Sequence, residues 1–366
     1  MKPPILRRSL FKLIVVVLVC LILRTLVYLI FNKNSQHEAK IDVEDDKSRL
    51  IQLKQVRILP IGGSNVIFDQ PWDLPSEKSY NTVEEAVKST ANRRYIVSSM
   101  SYSHGLGNLM FEYAALYYYA RKYKAFLVFP DDCLLRRAFE KLEKVIYVNS
   151  TSLYEYVESN EDRRIQEKAC CVYLPDLEMF KSSDIEIVDG YFQAFRYFWP
   201  ELDSEVRKSF QFLEGVKKRA LDYIRPYQDR IRIGVHVRHG VDITWHSRNL
   251  HHGHVSAPAE YYGRAMRRVS NGEQVVFVVV SDNISWAKRN LVGDNIVFVD
   301  STEREVDLAI LSYCNHTIMS TGTFSWWAGY LANGTTVRFK DWPRNGSDLD
   351  HMVDKKNYFL PHWIEL

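Results

Sequence analysis

Short runs of apolar residues alternate with stretches in which apolar positions recur every three or four residues along most of this 366-residue chain. The runs "RYIVSS" (94–99), "AFLVFP" (125–130), "RIGVHV" (232–237), "VVFVVVSDN" (275–283), "NIVFVD" (295–300) and "HTIMS" (316–320) read as buried strands. Between them, "LMFEYAALYYYARKY" (109–123), "APAEYYGRAMRRV" (257–269), "SWAKRNL" (285–291), "REVDLAILSYC" (304–314) and "FSWWAGYLANG" (324–334) carry helical periodicity, the last closed by Gly334. Strands and helices in alternation imply a mostly parallel, doubly wound α/β sheet. The expected architecture is two such lobes with a cleft between them, an amino-terminal lobe over 91–230 and a carboxyl-terminal lobe over 231–366.

The pattern before residue 91 is different. Leu13 to Phe31 form a 19-residue apolar stretch broken only by Arg24 and Thr25, long enough to span a bilayer as a helix. Lys2, Arg7, Arg8 and Lys12 precede it, so residues 1–12 are expected in the cytosol and everything after Phe31 on the far side. The stretch exceeds a signal-peptide core and no small-residue cleavage site follows, which favours a retained anchor, 13–31, over a cleaved leader. Residues 32–90 are rich in charge and turn formers and read as a stem.

Composition narrows the class. Hydrophobic residues at 46% and aromatics at 13% can supply a sizeable core. Basic residues, 48, nearly balance 45 acidic ones along the whole chain, so no nucleic-acid surface is expected. Five N-x-Ser/Thr sequons, at Asn149, Asn283, Asn315, Asn333 and Asn345, are glycosylation candidates in keeping with a lumenal location. Beyond the anchor, Cys133, Cys170, Cys171 and Cys314 allow three pairings and show no zinc spacing; no metal site is expected.

Candidate chemistry gathers where strands end. "HVRHGVD" places His236, Arg238, His239 and Asp242 after one strand, "SDN" places Ser281 and Asp282 after another, and "STGTF" runs from Ser320 to Phe324 before a helix. The carboxyl ends of parallel strands line one crevice. A helix start offers unpaired N–H groups to an anion, and Arg238 adds a fork suited to phosphate oxygens. Simpler roles compete: Thr323 or Ser325 as a helix cap, "SDN" as a capped turn, His236 as a core histidine, and Arg238 with Asp242 as a structural ion pair. "GLGN" supplies Gly105, Gly107 and Asn108 but lacks the third glycine of a dinucleotide fingerprint. "DLD" at Asp348 to Asp350 has the letters of a cation-binding pair but reads as a loop.

Taken together, "GLGNLMFEYAALY", "GYFQAFRYF", "HVRHGVD", "FVVVSDNISWAKRN", "CNHTIMSTGTFSWWAGYL" and "FLPHW" resemble the galactoside α-1,2-fucosyltransferases of glycosyltransferase family 11 over roughly residues 95–366. The resemblance implies two Rossmann-like lobes of GT-B type, a type II Golgi membrane location, and metal-independent, inverting transfer of fucose from GDP-fucose, with no further cofactor, to the 2-hydroxyl of a terminal β-galactoside on a glycan. It implies catalytic positions at Arg238, His236 and Asn108; Asp242 and His236 are further candidates for a general base. Donor contacts are implied at Arg238, Ser320, Thr321, Gly322, Thr323 and Phe324, and further ones are expected at Gly105, Gly107, His239, Ser281 and Asp282. The expected partners are GDP-fucose, a galactose-terminated acceptor and the membrane, with a homo-oligomer open. His239 stands at the family's second Arg, Asp242 one place beyond its Asp, and Leu109 at its Gln. Those departures leave an alternative: a catalytically impaired, fucosyltransferase-like membrane protein that binds a glycan or nucleotide.

Overall fold

The computed structural model describes residues 72–366, apart from 76–77, 91–93, 168–169 and 271. The expected cytosolic tail, the anchor over 13–31 and most of the stem lie outside the described residues, among which no helix is long and apolar enough to cross a membrane. The first sheet comprises β1 (Ser79–Tyr80), β2 (Arg94–Val97), β3 (Ala125–Pro130), β4 (Val145–Val148), β5 (Arg164–Gln166) and β6 (Ile185–Asp189), in the order β1-β4-β3-β2-β6-β5. The second comprises β7 (Ile231–Val237), β8 (Val275–Ser281), β9 (Ile296–Phe298), β10 (His316–Ile318), β11 (Thr336–Arg338) and β12 (Ile364–Glu365), in the order β12-β11-β10-β7-β8-β9. Every pairing within both sheets is parallel.

Parallel strands need covered faces, and the chain provides them: six consecutive residues of β8, Val275 to Val280, are buried. Strand order reverses between β7 and β10 in the second sheet and between β2 and β6 in the first. Ligands of open α/β sheets sit outside the carboxyl ends of strands at such reversals. Here those ends deliver Arg238 and Ser320 to Thr323 on one side, and Ser98 to Gly107 and Gly190 to Gln193 on the other.

Two helices join the lobes. The helix Leu106–Tyr123 is buried nearly all round, and its Phe111 ring lies 4.6 Å from Trp326 and 5.0 Å from Trp327 of the helix Thr323–Ala332. Trp327 donates its indole N–H to the Gly107 carbonyl at 2.9 Å, and Arg137 pairs with the buried Glu305 at 3.1 Å. The cleft between the lobes therefore has a packed, aromatic floor.

Three local expectations are corrected. Residues 79–89, placed in the stem, form β1 and the helix Val83–Ser89; β1 pairs with β4, and Val83 and Ala86 are buried. "DLD" is no loop but the start of the short helix Asp348–Met352, capped by Ser347. The helix Thr323–Ala332 is closed by Asn333 in the left-handed region, φ 58°, rather than by Gly334. A Cβ on Gly334 would stand 1.8 Å from the Asn315 carbonyl oxygen, so that glycine permits a close backbone approach.

Candidate active site

A cleft of about 1120 Å³ lies where the two sheets' strand reversals face each other. From the first lobe it is lined by Tyr102, Gly105, Leu106, Gly107, Asn108, Tyr191 and Gln193, and from the second by His236, Arg238, Ser281, Asp282, Thr321, Gly322, Thr323 and Phe324, among others. Most residues singled out from sequence therefore share one wall or the other. Ser320, His239 and Asp242 do not line it.

Each of those three has a visible structural task. Ser320 is buried; its hydroxyl accepts from the Arg238 amide at 3.1 Å and its own N–H donates to the Ser325 hydroxyl at 2.8 Å. His239 stacks on Trp286 with ring centroids 4.2 Å apart, and its N–H donates to Asp282 at 2.6 Å. Asp242 forms an i,i+4 ion pair with Arg238. Arg238 itself stays in the cleft: a Cβ on Gly322, whose φ is +84°, would meet the guanidinium at 3.2 Å. A side chain there would make the guanidinium give way by a few tenths of an ångström, on a backbone conformation that L side chains rarely adopt.

The two joining helices both begin at the cleft. Gly107 and Thr323 are so close that a Cβ on Gly107 would stand 2.6 Å from the Thr323 carbonyl carbon. Asn108 ties them: its Oδ1 accepts from the Thr323 hydroxyl at 2.5 Å and from the Gln193 amide at 3.2 Å, while its Nδ2 donates to Ser103 at 2.7 Å. With its side chain committed in three directions, Asn108 holds the junction while lining the cleft. Two helix amino termini and the Arg238 guanidinium, with Arg248 and Arg304 also lining the cleft, make an arrangement suited to an anion.

Protonation separates the candidates further. Burial, and then the neighbouring Arg238 charge, bring His236 down to about 3, and its Nδ1 has no hydrogen-bond partner among the described residues. A group so reluctant to take a proton is a poor general base at neutral pH. Asp242 is tied to Arg238 and does not line the cleft. Asp282 lines the cleft with much of its surface open, yet desolvation of its carboxylate outweighs the His239 amide and raises it to about 6.

The His236 shift gives a testable pH dependence. The unfolded chain takes up a proton on this residue below about 6.5, whereas the folded chain stays neutral down to about 3. Stability is therefore lost as the pH falls through that window. Denaturant unfolding at pH 7 and pH 4.5 is expected to show the wild type losing more stability on acidification than His236→Asn; equal losses would remove His236 from the account.

Several cleft residues were not among the site residues expected from the sequence. Gln193 and Tyr191 follow β6 within "GYFQAF", and the short spacing of β6 hid it as a strand. Cys170 and Cys171, bonded to each other, also line the cleft, while Cys133 and Cys314 are buried thiols. Asp348 lines the cleft as well; among the described residues no group of three or more His, Cys, Asp or Glu is placed to hold a metal ion. Of the sequons, Asn315, Asn333 and Asn345 are exposed, whereas Asn149 and Asn283 accept helix N–H groups as caps and are half-buried.

The family model described as Glycosyl transferase family 11 matches residues 77–366. A galactoside alpha-(1,2)-fucosyltransferase 1 of Leontocebus fuscicollis is 33% identical over 180 residues, covering 46% of this chain and 49% of that protein. A galactoside alpha-(1,2)-fucosyltransferase 2 of Mus musculus is 32% identical over 178 residues, covering 46% and 51%. The chain thus spans about half the length of the curated relatives it matches. Among solved structures, the fucosyltransferase NodZ from Bradyrhizobium aligns with a TM-score of 0.44 at 14% identity, over 65% of this chain and 92% of that one.

Proposed function

The chain belongs to glycosyl transferase family 11, and on that premise we propose that it transfers L-fucose from GDP-fucose to the 2-hydroxyl of a terminal β-galactoside, with inversion and without a metal, on a GT-B-type scaffold. The observation that carries this reading is the convergence of Arg238 with the starts of the helices Leu106–Tyr123 and Thr323–Ala332 on one cleft. A nucleoside diphosphate is the ligand such an arrangement suits. The acceptor hydroxyl attacks the anomeric carbon of fucose, the bond from that carbon to the phosphate oxygen breaks, and its electron pair leaves with GDP. Arg238 and the helix starts stabilise the charge that grows on the departing diphosphate. Gly322 and Thr323 bring backbone to the same place, and Thr321 and Phe324 flank it. The apolar stretch 13–31 with its basic flank supports a type II membrane orientation with this site on the far side of the bilayer, and the resemblance to the family's Golgi enzymes suggests the Golgi lumen as that side.

The test is transfer by the purified full chain from GDP-fucose to a β-galactoside, with EDTA present. Undiminished transfer, with the product linkage read as α-1,2, is expected. Loss of transfer that returns on adding a divalent cation would sink the metal-free mechanism. GDP-fucose binding without transfer to any galactoside would favour the impaired, binding-only reading, for which the substitution at His239 and the displaced Asp242 are the motive.

A further inference from the structure

A second cavity, of about 690 Å³, shares no lining residue with the cleft. Its walls are Tyr118, Arg121 and Lys122 of the joining helix, Tyr173, Phe195 to Tyr197, Trp199 to Leu202, and Lys356 and Pro361 near the carboxyl terminus. Asn108 and Tyr118 lie ten residues apart on one helix, so the two sites are separated by roughly 15 Å or more along its axis.

Two properties distinguish this cavity from a packing defect. The first is its aromatic wall. Trp199 and Tyr173 are only half-buried, and Trp199 is braced by Phe195 at 5.7 Å and His362 at 5.9 Å, while Tyr173 donates its hydroxyl to Tyr118 at 3.2 Å. Rigid aromatic faces held partly open are what the ring of a sugar packs on.

The second is its charge. Four of the lining residues are basic, and Glu201 alone is acidic. Arg121 is paired with Glu205 at 3.4 Å and Lys122 with Asp176 at 3.5 Å. Arg196 and Lys356 are exposed, and neither has a carboxylate partner among the described residues. Uncommitted cations beside exposed aromatic rings favour a ligand with both an apolar ring face and a negative charge.

We propose that this cavity binds an anionic saccharide, its ring on Trp199 and Tyr173 and its carboxylate or sulfate on Arg196 and Lys356. The site needs no turnover and stands apart from the catalytic reading. Where both hold, an acidic sugar on the same glycoconjugate raises the effective concentration of the acceptor at the cleft.

Titration calorimetry of the purified full chain tests it, with methyl sialoside as the carboxylate probe, N-acetylglucosamine 6-sulfate as the sulfate probe and N-acetylglucosamine as the neutral one. At least one anionic probe is expected to bind about tenfold or more tightly than the neutral sugar, and which one identifies the acid. The double variant Arg196→Ala/Lys356→Ala should lose about tenfold or more of that affinity, with Arg238→Ala unchanged. The proposal is overturned if neither anion outbinds the neutral sugar, or if Arg238→Ala abolishes binding while the double variant keeps it. Absent transfer with saccharide binding intact would remove the catalytic reading and leave this one standing.

Discussion

Arg238→Ala is expected to lower kcat/KM for fucose transfer by about 10²–10³-fold, the usual consequence of removing one preorganised donor from a developing negative charge. Arg248 and Arg304 line the same cleft, and the Arg238 guanidinium is the one held at the start of the helix Thr323–Ala332. It stands against Gly322 on one side and is anchored by Asp242 on the other, so its fork is oriented before any ligand arrives. Arg238→Lys should recover little, because a single ammonium on a flexible stem keeps the charge and loses the fixed fork. Asp242→Asn separates anchoring from proton transfer. An anchor that only orients Arg238 predicts a smaller loss than Arg238→Ala, and no change in the pH profile. Steady-state kinetics on the three variants would decide, and an Arg238→Ala enzyme within about tenfold of wild type would remove Arg238 from the reaction.

The ion pair with Asp242 illustrates what the sequence reveals and what it conceals. The signature "HVRHGVD" advertises four polar groups at a strand end, and three dimensions divide them: Arg238 and His236 face the cleft, His239 stacks on Trp286, and Asp242 becomes the partner of Arg238. Spacing alone could not rank these, because an i,i+4 acid–base pair is equally a structural and a catalytic arrangement. The buried strands β3 and β8 were legible from their apolar runs, and β7 from the alternation of Ile233, Val235 and Val237. β4, β5, β6, β11 and β12 were not: each has five residues or fewer, and their neighbours are charged or turn-forming, so no period develops. With β6 hidden, the strand reversal that brings Gln193 to the cleft was hidden too. The joint between the lobes was also invisible, since Gly107 and Thr323 lie far apart in the chain and meet only through the packing of Phe111 on Trp326 and Trp327.

That joint carries the second large effect. A methyl group at Gly107 would stand 2.6 Å from the Thr323 carbonyl carbon, 2.7 Å from the Phe324 nitrogen and 2.8 Å from the Thr323 carbonyl oxygen. All three are backbone atoms at the start of a buried helix, so no side-chain rotation relieves the overlap. Relief requires the two helix starts to separate, which strains the Trp327 bond to the Gly107 carbonyl and the bond Asn108 accepts from Thr323. Gly107→Ala is therefore expected to cost about 1–3 kcal/mol of stability, as overpacking in a core does. Its larger effect should fall on turnover, about 10²-fold, because a displacement near 1 Å at the diphosphate site misaligns donor and acceptor. Gly263→Ala is the matched control. It lies within the helix Ala259–Ser270, where an added Cβ would meet only the end of the Arg267 side chain at 3.6 Å, so stability should hold or rise slightly. Thermal unfolding and kcat/KM measured on both variants give the comparison. If Gly107→Ala matched Gly263→Ala in both, the two helix starts would not be locked together, and the preformed anion site would lose its basis.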